Sequence, residues 1–245
     1  MISGIFHQGS GLGNQLHRYV GTRCLSLDRG EDHGMIAPEL FKGSSFMTLD
    51  MGKPTGLEYW IELVTNRVVV DDPKDIEIID GEFQGEDVWK KYADKVDEWL
   101  KVEPLDVPEC IIGFRGGEYQ YFPELFLQGD YWNYAIRNMQ KINPYMHFRV
   151  VTDDPKLAKL FFPQFPVSHE MGHDWRSVRY AKYAIIANSS FFIFPRILSG
   201  GYTIAPLHWA RHHTGVWSTP DNCYKSFTYQ DREGKLHDGT CAHSL

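Results

Sequence analysis

Four short segments combine glycine with charged, amide or hydroxyl residues in patterns that could bind a phosphorylated ligand. The first is GSGLGNQL, residues 9–16, between a strand-like apolar run and a helical pattern. Glycine lets a backbone approach a ligand closely, and the N–H groups of a first helical turn can bind an anion. Asn14 stands where a dinucleotide-binding loop has its third glycine, and no Gly-Lys-Ser/Thr of a Walker loop follows. A tight structural turn and a ligand loop are about equally consistent with this segment.

The second segment is IIGFRGGEY, residues 111–119, which has an arginine where a predicted strand ends. In a parallel sheet that position faces the crevice in which α/β proteins bind ligands. Gly113, Gly116 and Gly117 would leave the guanidinium of Arg115 uncovered. Its planar fork can hold two diphosphate oxygens at once. The alternative is an ion pair between Arg115 and a nearby acidic side chain.

The third segment is VVTDDP, residues 150–155, in which two acids follow a predicted strand and Pro155 begins a helix. One of Asp153 and Asp154 is expected to cap that helix, because aspartate is favoured at the N-cap and proline at the first helical position. The other carboxylate could accept hydrogen bonds from a nucleoside base or ribose.

The fourth segment is YAIIANSSFF, residues 183–192, in which a buried strand leads into Asn188, Ser189 and Ser190 and then into a helix. Two hydroxyl groups beside the first amides of a helix form a cradle that suits a phosphate group. A serine that only caps the helix is an equal alternative.

No other group of residues gives a comparable indication of chemistry. His208, His212 and His213 do not form the H-E-x-x-H pattern, and no cysteine or carboxylate completes a metal site with them. The sequence has no G-x-S-x-G segment, so hydrolase chemistry of that kind is not indicated. Neither a metal nor another cofactor is therefore expected.

The composition of the 245 residues limits the partners. The 25 Lys and Arg against 32 Asp and Glu give a net charge of −7, whereas proteins that bind a nucleic-acid backbone are normally basic. No apolar segment is long enough to span a membrane, and the first residues lack the pattern of a secretory signal. The four cysteines form no C-x-x-C pair and are expected to be reduced, with a Cys223–Cys241 disulfide as the alternative. We expect a soluble cytoplasmic protein.

Apolar runs and helical patterns alternate along the chain, which predicts an α/β fold with a parallel sheet covered by helices. The predicted strands are Ile2–Phe6, Ile61–Val70, Ile76–Ile79, Cys110–Phe114, Phe148–Thr152, Ala184–Ala187 and Tyr202–Ala205. The predicted helices are Asn14–Arg29, Glu86–Lys101, Glu124–Ile142, Pro155–Phe162, Asp174–Lys182 and Ser190–Ser199. Two prolines among acidic residues in 102–108 mark a boundary. We expect a first lobe over 1–105, a second over 106–210 and a C-terminal docking tail over 211–245.

In this order along the chain, GLGNQL, the arginine at a strand end, TDDP and IIANSSF resemble the α-1,2-fucosyltransferases of glycosyltransferase family 11. They are similar, more distantly, to the α-1,6- and protein O-fucosyltransferases of the same superfamily. The resemblance covers most of residues 8–210 and includes TIAPLHW, residues 203–209. The family's central motif H-x-R-R-G-D-Y stands here as GFRGGEY, residues 113–119. His17 replaces an aromatic residue after GNQL, and SFFIFP replaces SFSWWG.

The resemblance implies a two-lobed glycosyltransferase of the GT-B kind with Rossmann-like lobes. A small N-terminal lobe would lie on the acceptor side, and the C-terminal lobe would hold the nucleotide sugar. The implied reaction is inverting transfer of L-fucose from GDP-fucose to a sugar hydroxyl of a glycan acceptor, without a metal. Arg115 would stabilise the leaving diphosphate, and Glu118 and His17 are the candidates for the general base. The residues expected to bind the donor are Gly11, Gly13, Asn14, Gln15, Arg115, Asp153, Asp154, Asn188, Ser189 and Ser190.

Two other functions agree with the same motifs. A transferase could use another nucleotide-linked 6-deoxyhexose as its donor. A catalytically silent module could bind a nucleotide sugar or a glycan, because the central motif lacks the family's histidine and second arginine. In each case the expected partners are a nucleotide sugar and a glycan, with no nucleic acid and no membrane span.

Overall fold

A computed structural model of the chain describes residues 1–57, 76–123, 125–207 and 223–239, together with the backbone of residues 60–61 and 68–69. The chain divides into two compact units, Met1–Val102 and Glu103–Leu245. His208, His212 and His213 lie outside the described residues, as does most of the predicted strand Ile61–Val70.

The first unit is built around a small parallel sheet in which β1 lies between β2 and β5. Its elements are β1 (Ile2–Ile5), α1 (Leu12–Arg29), β2 (His33–Ile36), β3 (Trp60–Ile61), β4 (Val68–Val69), β5 (Glu77–Ile79), α2 (Glu86–Trp89) and α3 (Ala93–Trp99). The strands β3 and β4 form a separate antiparallel pair. The single helix predicted over Glu86–Lys101 is divided, because a 3-10 turn at Lys90–Tyr92 separates α2 from α3.

Helix α1 forms where the sequence predicts it, because its apolar residues recur at helical spacing. Leu12, Leu16 and Tyr19 are buried on the same stripe of the helix. The helix ends at Gly30, whose φ of 65° is the left-handed conformation that glycine adopts without strain. This helix follows β1 through the loop of residues 6–11, which carries the first predicted ligand segment.

The second unit contains a larger sheet with strand order β12-β11-β10-β9-β6-β7-β8. Its strands are β6 (Cys110–Phe114), β7 (Phe148–Thr152), β8 (Val167–Ser168), β9 (Tyr183–Ile186), β10 (Tyr202–Pro206), β11 (Thr228–Gln230) and β12 (Leu236–Asp238). Its helices are α4 (Gly129–Ile142), α5 (Pro155–Phe161), α6 (Met171–Tyr180) and α7 (Ile193–Ser199), with 3-10 turns at Gly117–Tyr121 and Ser190–Phe192. All of these strands pair in parallel except β12, which is antiparallel to β11.

The order of the strands defines a switch point between β6 and β9. The chain runs outward from β6 through β7 to β8, and it then returns to the other side of β6 and continues through β9, β10 and β11. This is the strand order of a Rossmann sheet, in which ligands bind outside the carboxyl ends of the strands at the switch point. Ile112 lies opposite Val150 on one side and Ile185 on the other, so the central strand is buried among apolar neighbours.

Residues 223–239 are part of this sheet and do not form a separate tail. β11 extends the parallel sheet beside β10, and β12 closes its edge as the second strand of a hairpin. The sequence analysis missed both strands, because each has only three residues and polar residues interrupt them. The rest of the predicted docking tail, residues 211–222 and 240–245, lies outside the described residues.

Arg196 on α7 holds this helix against its neighbours. The side chain is fully buried, and its guanidinium donates to the carbonyl oxygens of Val178 and Ala181 and to Oγ1 of Thr203, each at 2.8 Å. Burial lowers the pKa of Arg196 to about 10, which still leaves it charged at neutral pH. These bonds fix the position of α7 and of the Ser189–Ser190 segment that precedes it.

None of the helices in the described parts of the chain has the length and apolar character that crossing a bilayer requires.

Candidate functional site

The carboxyl edge of the second unit's sheet brings three of the predicted segments together. Arg115 follows the central strand β6, Asp153 follows β7 on one side, and Asn188 follows β9 on the other. Because β6 and β9 flank the switch point, Arg115 and Asn188 lie where a Rossmann sheet binds its ligand. Tyr119, four residues after Arg115, donates from its hydroxyl to the Asn188 carbonyl oxygen at 3.5 Å.

Arg115 is held by acidic side chains on two sides. Its Nη1 donates to the Asp153 carboxylate, and its Nη2 donates to Oε1 of Glu118 at 3.0 Å. The guanidinium carbon lies 5.2 Å from the centre of the Tyr119 ring. The side chain is 29% exposed, so the ion-paired guanidinium still reaches solvent. The ion pair that the sequence left as an alternative is therefore present, at a surface position.

Asp153 connects two segments of this edge through both of its carboxylate oxygens. Oδ2 pairs with Arg115, and Oδ1 accepts a hydrogen bond of 2.9 Å from the backbone N–H of Gly116. A Cβ atom at Gly117, where φ is +23°, would collide with the same carboxylate. The two glycines after Arg115 therefore let Asp153 approach the loop.

Asp154 has the capping role that the sequence predicts for one acid of the pair. Its Oδ1 accepts a hydrogen bond of 3.0 Å from the backbone N–H of Leu157, in the first turn of α5. Because this bond occupies the carboxylate at the helix start, the structure gives Asp154 a local structural task. The predicted contact between Asp154 and a donor stays a prediction.

The segment Asn188–Ser190 combines a buried amide with two hydroxyls. Asn188 is 2% exposed and donates from Nδ2 to the carbonyl oxygen of Leu125 at 3.1 Å, while its buried Oδ1 has no hydrogen-bond partner among the described residues. Ser189 is buried at the N-cap position of the following 3-10 turn, and its side chain makes no capping hydrogen bond to that turn. The predicted helix Ser190–Ser199 begins as a 3-10 turn, and α7 itself has seven residues. So short a helix aligns few peptide dipoles, which weakens the predicted phosphate cradle.

The glycine segment of the first unit is open at its surface. Gly11 is exposed at the N-cap of α1, and beyond its two chain neighbours no atom of the described residues lies within 4 Å of the position that its Cβ would take. Gly13 is buried in the first turn. Asn14 is half-buried, and its Oδ1 accepts a hydrogen bond from Nε2 of Gln84 at 3.4 Å.

The structure buries two residues of α1 that the sequence analysis places in the site, Gln15 and His17. Gln15 is fully buried, its Nε2 donates to the Leu40 carbonyl oxygen at 2.7 Å, and its Oε1 accepts from the Lys42 backbone N–H at 2.9 Å. This buried amide therefore holds the segment after β2 in place. His17 is also fully buried, and burial lowers its pKa to about 3, against the opposing effect of a hydrogen bond with the Phe83 backbone. The imidazole is therefore shielded from solvent in this structure, and the role of His17 as a general base stays a prediction.

Glu118 remains the exposed acid of the second unit's site. Its side chain is 62% exposed and forms an ion pair with Arg115. A base in this position would have to leave Arg115 before it could accept a proton. Among the described residues, no three histidine, cysteine or acidic side chains are grouped so that they could hold a metal ion.

A third cluster, which the sequence analysis did not assign, lies at the carboxyl edge of the first unit's sheet. His7 follows β1, and its Nε2 lies 2.8 Å from Oδ1 of Asp80, the residue after β5. Arg18 of α1 donates from Nη1 to the same Oδ1. No local signal could reveal this cluster, because 73 residues separate His7 from Asp80. A parallel pairing of β1 with β5 would have been the clue.

Neither a protein-family model nor a curated protein sequence matches the chain. Among solved structures, the chain is similar to a glycosyl transferase of family 9 from Veillonella parvula. The identity is 11%, with 94% of this chain and 86% of that chain covered at a TM-score of 0.50. Heptosyltransferase WaaC of E. coli with ADP matches at 9% identity over 100% of this chain and 98% of that chain, with a TM-score of 0.48.

The first of these likenesses shows a shared fold. The chain has the α/β architecture with parallel sheets that is found in glycosyltransferases of the GT-B kind, and the predicted fold class is confirmed.

Proposed function

We propose that the chain is an inverting glycosyltransferase that moves L-fucose from GDP-fucose to a sugar hydroxyl of a glycan acceptor. The observation that carries the proposal is the position of Arg115 and Asn188 on the two sides of the switch point. The order of the four motifs, which resembles family 11, supports fucose as the sugar and GDP as its carrier. The GT-B fold supports glycosyl transfer in general.

The proposed chemistry depends on an exchange of partners at Arg115. The oxygens of a diphosphate would replace Glu118 at Nη2, while Asp153 continues to orient the other side of the guanidinium. As the bond between the sugar and the phosphate breaks, negative charge grows on the leaving GDP. A cation fixed beside that charge stabilises the transition state more than the ground state, so the reaction does not require a divalent metal.

A thermal-shift series tests the carrier. GDP and GDP-fucose should raise the melting temperature, because a ligand that binds only the folded state stabilises it by RT ln(1 + [L]/Kd). UDP, dTDP and ADP should produce smaller shifts, and EDTA should leave the GDP shift and the turnover unchanged. Equal shifts with all the nucleotides would contradict the choice of GDP. Activity that is lost with EDTA and restored by Mn²⁺ would contradict metal-free catalysis.

The silent binding module stays as a second candidate on one observation, the double ion pair of Arg115. A guanidinium that two carboxylates already neutralise can serve the fold alone. Turnover separates the two functions. A GDP shift without transfer from GDP-fucose to any acceptor of a glycan panel would favour the silent module. Transfer from another GDP-linked 6-deoxyhexose would keep the enzyme and change the donor sugar.

A further inference from the structure

The amino edge of the second unit's sheet has a cavity of about 270 Å³. Two helices end beside this cavity and two strands begin there, because α6 leads into β9 and α7 leads into β10. Arg179, Lys182 and Gly200 are among the residues that line it. Since the strands are parallel, Arg115 lies at the opposite edge of the sheet, and the cavity is separate from the candidate site.

The charge around this cavity is positive, although the chain as a whole has a net charge of −7. The sequence contains no acidic residue between Asp174 and Asp221. Within this segment, Arg179 lies in the last turn of α6, and the exposed Lys182 follows the end of that helix. A local excess of positive charge in a concave surface raises the concentration of small anions there.

A third cation, Arg196, is buried behind the wall of the cavity. Gly201 lines the cavity, and a Cβ atom on it would lie 2.7 Å from Nη2 of Arg196. The four hydrogen bonds of this guanidinium go to uncharged oxygens, and no carboxylate among the described residues pairs with it. Burial is the main cause of its lowered pKa, and the positive charge of Arg179 adds to the effect. A buried charge without a counter-charge is costly, and an anion in the cavity would reduce that cost.

The end of α6 offers little opposition to an anion, because its carbonyl oxygens already have partners. The negative end of a helix dipole is located on the last carbonyl groups. Arg196 donates to the carbonyl oxygens of Val178 and Ala181, and Oγ of Ser199 donates to the carbonyl of Ala181 at 3.3 Å. The positive side chains that line the cavity therefore dominate the electrostatic potential inside it.

We propose that this cavity binds the phosphate group of a small ligand, either inorganic phosphate or a phosphomonoester such as a sugar phosphate. Guanidinium and ammonium groups are the side-chain groups that bind phosphate in proteins. The volume lies just below the range of about 300–1,000 Å³ for drug-sized ligands, which favours a phosphomonoester over a nucleotide sugar. This site does not depend on the proposed glycosyl transfer.

Gly200 permits a test in which only the charge of the cavity changes. Its φ of 63° is a conformation that asparagine and aspartate tolerate. Beyond its two chain neighbours, no atom of the described residues lies within 4 Å of the position that its Cβ would take. Both Gly200→Asn and Gly200→Asp should therefore fold with the melting temperature of the wild type, but only the aspartate adds a negative charge to the cavity.

Calorimetric titrations at constant ionic strength measure the binding of inorganic phosphate and of galactose 1-phosphate. The wild type and Gly200→Asn should bind both with the same affinity. Gly200→Asp should bind them about fivefold more weakly or worse, because a unit charge repels another at about 4 Å by that factor even in water. Arg115→Ala should bind them like the wild type, because Arg115 lies at the other edge of the sheet.

Lys182→Gln is the second variant, and Lys159→Gln is its matched control. Both lysines are exposed and lie at or just after the last turn of a helix of the second unit, but Lys182 lines the cavity and Lys159 lies on α5. Lys182→Gln should weaken phosphate binding about fivefold, since one unit charge is lost. Lys159→Gln should leave the affinity unchanged.

Three results would overturn the site. The first is an equal affinity of Gly200→Asp and Gly200→Asn together with an unchanged affinity of Lys182→Gln. The second is binding that Arg115→Ala abolishes and Gly200→Asp keeps, which would assign the phosphate to the carboxyl edge. The third is a wild type that binds phosphatidylglycerol vesicles, or nothing, and neither of the two soluble phosphates. A chain that transfers no sugar from any donor would contradict the proposed function and leave this site in place.

Discussion

The carboxyl edges of the two sheets use polar residues differently. In the first unit, β1 leads into α1, and the predicted ligand residues Gln15 and His17 are buried within the unit. In the second unit, β6 leads into a loop, and Arg115 remains 29% exposed with Asp153 beside it. Both units have polar residues after a strand and near glycine. In the first unit Gln15 and His17 are buried and contribute to the packing of the fold, whereas in the second unit Arg115 remains accessible at the edge of the sheet.

The difference teaches that the position within an element decides the role of a motif residue. Gln15 lies three residues after Leu12 and four before Tyr19, on the stripe of α1 that packs inward. An amide on that stripe must find partners inside the protein, because a buried polar group without a hydrogen bond is costly. Arg115 lies after the strand and before the 3-10 turn at Gly117–Tyr121, where no helical period forces it inward.

The largest effect on turnover is expected from substitution of Arg115, at the carboxyl edge of the second unit's sheet. Arg115→Ala should reduce turnover of GDP-fucose by roughly 10²–10³-fold, about 2.7–4 kcal/mol, because a fixed cation beside the leaving diphosphate is lost. Arg115→Lys keeps the charge but loses the planar guanidinium that can bind two oxygens, so its activity should lie between that of the wild type and that of Arg115→Ala. Because the contact strengthens as GDP leaves, kcat should fall more than donor affinity. Steady-state kinetics on the folded variants provide the measurement.

Arg137 on α4 is the matched control for this prediction, since it is an exposed arginine of the same unit. Arg137→Ala should keep the activity of the wild type. If Arg115 serves the fold alone, Arg115→Ala will instead melt at a lower temperature and keep its turnover within about threefold, well below the expected loss. That result would remove the contrast between the two edges and favour the silent module.

The sequence predicts the second unit better than the first, for a physical reason. Strands β6 and β9 are continuous apolar runs because both of their faces are buried, and the ends of β6, β7 and β9 fix where Arg115, Asp153 and Asn188 emerge. The partners of those side chains cannot be predicted in this way. Arg115 and Asp153 are 38 residues apart, and only the pairing of β6 with β7 brings them together. The three-residue strands β11 and β12 are too short to show a period.

A second prediction tests whether the buried polar residues of the first unit stabilise its fold. Gln15→Ala should lower the free energy of unfolding by about 2–4 kcal/mol, because it leaves the Leu40 carbonyl and the Lys42 N–H without their buried partner. Asn14→Ala, at the neighbouring half-buried amide whose bond with Gln84 is a long 3.4 Å, should lower the free energy of unfolding by less than Gln15→Ala does. Urea unfolding measures both. If Gln15→Ala unfolds like the wild type and loses its thermal shift with GDP, Gln15 contacts the donor after all and the two edges are alike.

The smallest effect comes from His17 and appears only below neutral pH. Its pKa is about 3 in the folded chain against an ordinary value of 6.5, so below pH 6.5 the unfolded chain binds a proton that the folded chain does not. Above pH 6.5 the neutral imidazole of His17 has no effect on how stability varies with pH. As the pH falls from 6.5 towards 3, the free energy of unfolding decreases, because only the unfolded chain binds the proton. At about 1.4 kcal/mol per pH unit, the wild type should lose about 2 kcal/mol between pH 7.5 and pH 5 relative to His17→Leu. Between pH 7.5 and pH 9 the difference between the two proteins should stay constant, since His17 is neutral in both states. A constant difference down to pH 5 would mean that His17 is open to solvent in the folded chain, which would contradict its burial in the first unit.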